Sequence, residues 1–241
     1  MFYNCYNLRT IKSLDFGIVN KEANYQAIFM NCFALQEIPR LIIDCQIAKS
    51  TTCEFFNNCN SLINPFQYLK NINMLKNARS LFLGCYQITE APEELNLSLA
   101  TDTYGLFRRC INMHTAPKRL FLDATTTCEK MFSECYNLQQ TPEVITASKC
   151  KNVGYLFEKC YTLKTIKCDL DFPNVSNDFT RVFDYCYSLE SFECDIMRLG
   201  NNDINSGHLD VSRYLFPHSV KLKKLPKLEF SIRYIDADYF K

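Results

Sequence analysis

Apolar and polar positions along this chain repeat as one phrase. An apolar residue is followed by Phe, then two variable residues, Cys, two more variable residues and Leu. The phrase occurs at Phe2/Cys5/Leu8, Phe29/Cys32/Leu35, Phe56/Cys59/Leu62, Phe82/Cys85/Ile88, Phe107/Cys110/Met113, Phe132/Cys135/Leu138, Phe157/Cys160/Leu163 and Phe183/Cys186/Leu189. A ninth copy, Phe216/Ser219/Leu222, carries Ser in the Cys place. Successive Cys positions are 27, 27, 26, 25, 25, 25 and 26 residues apart, with 33 to Ser219. An internal repeat of this period decides the architecture before any local propensity does.

The spacing within a unit predicts its elements. Phe, Cys and Leu three apart suit one side of a helical or 3₁₀ turn. Three residues beyond Leu comes a further small or apolar residue, as in Leu35-Gln36-Glu37-Ile38 and Leu163-Lys164-Thr165-Ile166, which reads as a short strand. Pro39, Pro92, Pro117, Pro142 and Pro226 directly follow that position. Proline has no N–H to give a ladder, so the strand is expected to be about three residues long and to end there. One unit cannot bury its own apolar side, and stacking units makes equivalent side chains form ladders. The expected fold is an α/β repeat solenoid, a leucine-rich-repeat-like stack of about nine units of 25–27 residues, each a short strand plus a helical or 3₁₀ turn. It would fill residues 1–230 as one domain, with 231–241 as a C-terminal cap.

These residues resemble the BspA-like leucine-rich repeats, whose units read Met-Phe-x-x-Cys-x-x-Leu. Met131-Phe132-Ser133-Glu134-Cys135-Tyr136-Asn137-Leu138-Gln139-Gln140-Thr141-Pro142 fits that pattern, as does Met1 to Leu8, and the preceding Asp123-Ala124-Thr125-Thr126-Thr127-Cys128 resembles the Ala-Thr-Thr-rich segment of one subtype, which also carries Thr-x-x-Pro-x-Leu. The resemblance is specific for architecture and weak for function, because fold does not fix function. Such repeats occur in cell-surface adhesins, lipoproteins and phage-encoded proteins. The resemblance therefore implies a recognition surface at a cell surface, in secretion or on a phage virion. Met1-Phe2-Tyr3-Asn4-Cys5 has neither the basic patch nor the apolar stretch of a secretory leader. With a repeat starting at Met1, the first rung is expected to be covered by a longer chain, a partner or a second copy.

Composition removes several alternatives. The net charge of +1 gives no bulk field toward nucleic acid or anionic lipid, and no apolar run approaches a membrane span. The run Lys221 to Lys227 places its Leu residues in register, leaving the lysines as a solvated edge or an anion contact.

The chain has 14 cysteines. Those in register read as a buried thiol ladder, since side chains pointing in parallel suit packing. Adjacent rungs nevertheless lie near disulfide range, and Cys168 and Cys194, each five past Leu at the same repeat place, are the candidate disulfide. The remaining cysteines are Cys45, Cys53, Cys128 and Cys150. No Cys-x-x-Cys, His-Glu-x-x-His, Gly-x-Ser-x-Gly or phosphate loop is present, and His114, His208 and His218 are scattered. Neither a metal, a cofactor nor an enzymatic activity is expected.

The candidate binding row is the residue before each apolar strand position: Thr10, Glu37, Glu90, Thr115, Gln140, Thr165, Ser191 and Lys224. It is polar and of mixed sign, fit either to engage a protein or glycan or simply to face solvent. A second row, Tyr6, Phe33, Tyr86, Tyr136, Tyr161 and Tyr187, lies one past the register Cys and suits sugar or protein contact, or packing between rungs. The function expected is a non-enzymatic binding module for a protein or glycan; the alternative is a structural spacer or assembly part of a larger particle.

Overall fold

The computed structural model describes residues 1–14, 25–42, 54–175, 179–194, 196–199, 215–222 and 227–229. Lys224, the expected cap at 231–241, Cys45, Cys53 and His208 lie outside them. Among the described residues the regular elements are ten short strands and two 3₁₀ turns. The strands are β1 (Leu41–Ile42), β2 (Leu69–Lys70), β3 (Glu94–Asn96), β4 (Arg119–Phe121), β5 (Val144–Thr146), β6 (Thr165–Ile166), β7 (Leu170–Phe172), β8 (Ser191–Phe192), β9 (Ile196–Leu199) and β10 (Lys227–Glu229). The 3₁₀ turns are Pro65–Gln67 and Ile72–Met74. Every strand pairing is parallel, and it joins strands from neighbouring units.

The expected strand is present but minimal, and the longer one lies elsewhere. At the place read as a strand the ladder is a row of single bridges, Glu90 to Thr115, Thr115 to Gln140 and Gln140 to Thr165, which widens only to the two-residue pair β6–β8. The proline ends it as argued. Two residues beyond the proline the chain becomes extended again as β3, β4 and β5, which pair in the register Leu95–Leu120–Ile145. That second strand was missed because Glu94-Leu95-Asn96 and Arg119-Leu120-Phe121 each bury one central side chain, too little to show a period.

The expected helical turn is corrected to a chain of β-turns. In each unit the Cys N–H donates to the Phe carbonyl and the Leu-place N–H to the Cys carbonyl, as in Cys110 to Phe107 (3.0 Å) and Met113 to Cys110 (3.0 Å). Helix formation is blocked by residues at positive φ: one directly before each register Cys and, in the second to eighth units, one two before Phe. The first set is Asn4, Asn31, Asn58, Gly84, Arg109, Glu134, Lys159 and Tyr185. A left-handed third residue in Phe-x-x-Cys is the pattern of a type II turn. It turns that residue's N–H sideways, so Arg109 donates to Ser133 and Glu134 to Glu158 in the next unit, while Phe107 donates to Met131. These lateral bonds satisfy the backbone that a helix would have satisfied internally.

The core follows directly. Nine phenylalanines, from Phe2 to Phe216, stack in one column with centroids 5.2–5.8 Å apart and planes within 18°. From Phe29 onward they are buried, as are the apolar residues before them and the Leu-place residues. The Cys59 unit is the irregular one. Asn64 there is left-handed, Pro65 opens a 3₁₀ turn, and the Phe66 ring packs against Phe82 and Phe107.

Candidate functional site

The expected row is assembled over most of its length. Glu90, Thr115, Gln140, Thr165 and Ser191 occupy adjacent rungs, and Thr10 bridges Glu37 in the same way. Thr10, Glu37, Glu90, Thr115 and Gln140 are exposed, whereas Thr165 and Ser191 are half-buried. The Thr165 and Ser191 hydroxyls lie 3.3 Å apart. Between Glu37 and Glu90 the row is interrupted by the irregular unit, where Pro65 cannot donate and Asn64 turns the chain away. Beside the row, Lys118 lies 3.7 Å from Glu93 and Arg119 3.3 Å from Glu94. Exposed pairs of this kind contribute little stability. They leave the surface near neutral with both signs available.

A charged cluster on another side was not foreseen. Arg108 donates to Glu134 through Nη2 (2.7 Å) and Nε (3.1 Å), and Arg109 lies 3.7 Å from the same carboxylate. Ser133 donates to Glu158 (2.8 Å), which also faces Lys159. Asp184, buried to 1%, meets His218 Nδ1 at 2.8 Å and Arg181 at 3.7 Å. Burial opposes ionisation of Glu134, but the Arg108 hydrogen bonds and charge outweigh it and hold the carboxyl below its ordinary range. Most of these residues sit at the left-handed position or next to it, where side chains of successive units line up. That alignment was invisible before the turn geometry was known. In the first units the same position holds an amide ladder, with Asn58 donating to Asn31 and Asn31 to Asn4, each at 2.9 Å.

The register cysteines have a definite partner. Each thiol from Cys32 to Cys186 points at the carbonyl of the Phe one unit earlier, at 3.0–3.2 Å. Burial pushes the Cys32 thiol up to about 11 and raises those of Cys59, Cys85, Cys110, Cys135, Cys160 and Cys186 as well. A thiol that resists ionisation is a poor nucleophile and a poor metal ligand. Cys5, in the first unit, is exposed.

Cys168 and Cys194 are unbridged thiols, and Cys168 lies 3.7 Å from the Thr141 hydroxyl. Two further cysteines, Cys128 and Cys150, are buried thiols; Cys150 donates to the Asn152 carbonyl at 3.1 Å, and the Thr103 hydroxyl faces the Cys128 sulfur at 3.9 Å. Among the described residues no three His, Cys, Asp or Glu side chains gather as a metal site, and no helix is long and apolar enough to cross a membrane.

The row one past the register Cys is Tyr6, Phe33, Asn60, Tyr86, Ile111, Tyr136, Tyr161 and Tyr187; all are exposed or half-buried. Tyr6 stacks on Phe33 at 5.2 Å, Tyr136 on Tyr161 at 4.9 Å and Tyr161 on Tyr187 at 5.6 Å, with planes within 19°. Alongside runs Asn7, Ala34, Ser61, Gln87, Asn112, Asn137, Thr162 and Ser188. The rows are joined by the backbone, as where Ala34 donates to Tyr6, Ser61 to Phe33 and Thr162 to Tyr136.

Geometry thus defines a class, a repeat protein whose units pair in parallel register and present rows of equivalent side chains. Comparison adds a likeness: a leucine-rich repeat protein from Bacteroides ovatus ATCC 8483 matches at 15% identity over 83% of this chain and 69% of that one, with a TM-score of 0.30. No protein-family profile matches the chain, and no curated protein sequence matches it.

Proposed function

We propose that this protein is a non-enzymatic binding module that recognises a protein or glycan through the row Glu90, Thr115, Gln140, Thr165 and Ser191, extended by Thr10 and Glu37. One observation carries the reading. Residues about 25 apart in sequence are held on consecutive rungs by parallel bridges, so the surface is rigid, polar and periodic. Rigid elements lower the ordering cost of association. Hydroxyl, amide and carboxylate groups in one row can both donate and accept hydrogen bonds. The register thiols from Cys32 to Cys186, held protonated by burial, support a non-catalytic role. The setting proposed, from the likeness to surface and phage repeat proteins, is adhesin-like or virion-associated.

The test is binding of the full chain to immobilised glycans and purified cell-surface proteins, compared with a Glu90→Ala/Thr115→Ala/Gln140→Ala variant. Truncating three row side chains is expected to weaken binding at least tenfold while the melting temperature is kept. Wild-type chain that retains no glycan or protein, or equal binding by the variant, overturns the reading.

A further inference from the structure

The third and fourth units, centred on Cys59 and Cys85, are joined along one side only. On the turn side the junction is complete. The Glu54, Phe56 and Asn58 N–H groups donate to the Arg79, Leu81 and Leu83 carbonyls at 2.7–3.0 Å, the Cys85 thiol meets the Phe56 carbonyl, and Phe56 stacks on Phe82. On the strand side no hydrogen bond joins residues 59–75 to residues 85–100, all of them described residues. The flanking junctions are bonded there. Ser61 donates to Phe33, Ile63 to Gln36 and Leu41 to Tyr68 on one flank, and His114 to Thr89, Arg119 to Glu93 and Leu97 to Phe121 on the other. The sheet therefore stops at β2 and starts afresh at β3. One ring stands in place of the missing bonds. Phe66, in the 3₁₀ turn Pro65–Gln67, reaches across to Phe82 (5.1 Å, edge-on) and to Phe107 (6.3 Å). An apolar cavity of about 10 Å³ is lined by both units, with Phe55, Phe56, Leu69, Ile72 and Leu75 from the third and Leu81 from the fourth.

We propose that this junction is a hinge. The first three units and the fourth to eighth form two blocks that open and close on the strand side, with the turn-side bonds as the axis and Phe66 as the latch. Main-chain bonding in the stack joins adjacent units, so the stiffness of each junction is set by its own bonds. Hydrogen bonds are directional and hold an angle. Apolar contact is not directional, so the Phe66 ring and the leucines around the cavity can roll without leaving a polar group unpaired. Asn64 and Asn71, left-handed at φ 39° and 59°, flank the latch in the place where a few residues can absorb the backbone change of a hinge. The binding row is broken at the same point, with Thr10 and Glu37 on one block and Glu90 to Ser191 on the other. The hinge thus sets the angle between the two parts of the row. That consequence rests on the proposed binding function; the hinge itself does not.

The measurement is double electron–electron resonance on the full chain. Exposed residues are replaced in pairs by p-acetylphenylalanine and spin-labelled at the ketone, which leaves the cysteines untouched. Gln36 with Gln139 spans the junction, and Thr89 with Glu190 lies within the second block; all four are exposed. Each pair is four rungs apart, about 19 Å at the spacing of neighbouring strands. The distance distribution of the spanning pair is expected to be at least twofold broader than that of the inner pair. Phe66→Ala should broaden the spanning distribution further and leave the inner pair unchanged, which shows that the block is still folded. If Phe66→Ala disturbs the inner pair, Phe66→Leu, which keeps an apolar group there, is read in its place and should broaden the spanning distribution by a smaller amount. Equal widths for the two pairs in wild type, or a spanning distribution indifferent to loss of the ring, overturns the proposal. No ligand is present in the measurement, so its result is independent of whether the row binds.

Discussion

The Ser219 hydroxyl donates to the Phe183 carbonyl at 2.8 Å, in the place where seven thiols donate to the Phe carbonyl of their preceding units. The ninth unit therefore keeps the bond while changing the atom, which identifies the register cysteine as a compact hydrogen-bond donor as well as a packing group.

That equivalence gives the first prediction. Cys110→Ala removes both the donor and a sulfur's worth of packing and should cost about 1–2 kcal/mol. Cys110→Ser restores the donor to the Phe82 carbonyl and should cost less than the alanine variant. Urea denaturation of the two variants checks this; a serine variant no better than alanine would mean that sulfur volume alone matters.

The turn geometry gives the second. Gly84 sits at φ +71°, and a Cβ there would come within 2.5 Å of Asn58 Oδ1, the open end of the amide ladder. Gly84→Ala is expected to destabilise by about 1–3 kcal/mol, the usual cost of a left-handed non-glycine residue with a clash added. In an Asn58→Ala background the penalty should shrink, since the colliding oxygen is gone. At Lys159, also left-handed at φ 58°, glycine should be neutral or stabilising by up to about 1 kcal/mol. Thermal melts of wild type and the four variants (Gly84→Ala, Asn58→Ala, the double variant and Lys159→Gly) decide it.

These left-handed places mark the limit of what the sequence discloses. Phe, Cys and Leu recur because they are buried in columns, and burial selects residue type, so the unit and its period are readable. The positive φ is imposed by lateral hydrogen bonds between units, and those select no residue type. Asn4, Asn31, Asn58 and Gly84 hint at it, whereas Arg109, Glu134, Lys159 and Tyr185 hide it. A three-residue spacing therefore passes for a helical turn. The same cause conceals the charged cluster, since Arg108 and Glu134 are 26 residues apart and meet only through the stack. The row Glu90 to Ser191 was readable because the Phe-Cys-Leu register extends to it without any knowledge of the turn.

Acid sensitivity supplies a third prediction. The Glu134 carboxyl is held below the ordinary glutamate range by Arg108, so its contribution to stability is complete above that range and is lost as pH falls through the lower folded value. Glu134→Gln should be less stable than wild type at neutral pH, and the gap should close only as pH falls through the lowered folded value, where the carboxyl is protonated in both states. Melting temperatures of both proteins across pH 3–7 report it; a gap that stays constant with pH would show that charge is not the cause.

Thiol accessibility gives a fourth. Among the described cysteines Cys5 is exposed and Cys32 to Cys186 are buried. A brief pulse of iodoacetamide at pH 8 followed by mass spectrometry should modify Cys5 first. The register thiols from Cys32 to Cys186 should react only as denaturant unfolds the stack, because reaction requires the thiolate. Rapid labelling of Cys110 or Cys135 in native protein would contradict the burial described.

The junctions among the first eight units use the same fittings: a ring on a ring, a thiol to the carbonyl behind, two backbone N–H groups to the carbonyls ahead. A unit thus makes no demand on its neighbours that another unit could not meet. Length becomes a free variable, and a gene encoding such a chain can gain or lose one cassette of about 25 residues without redesigning the rest. Selection can then tune the span of the outer rows by counting units, leaving the interior untouched.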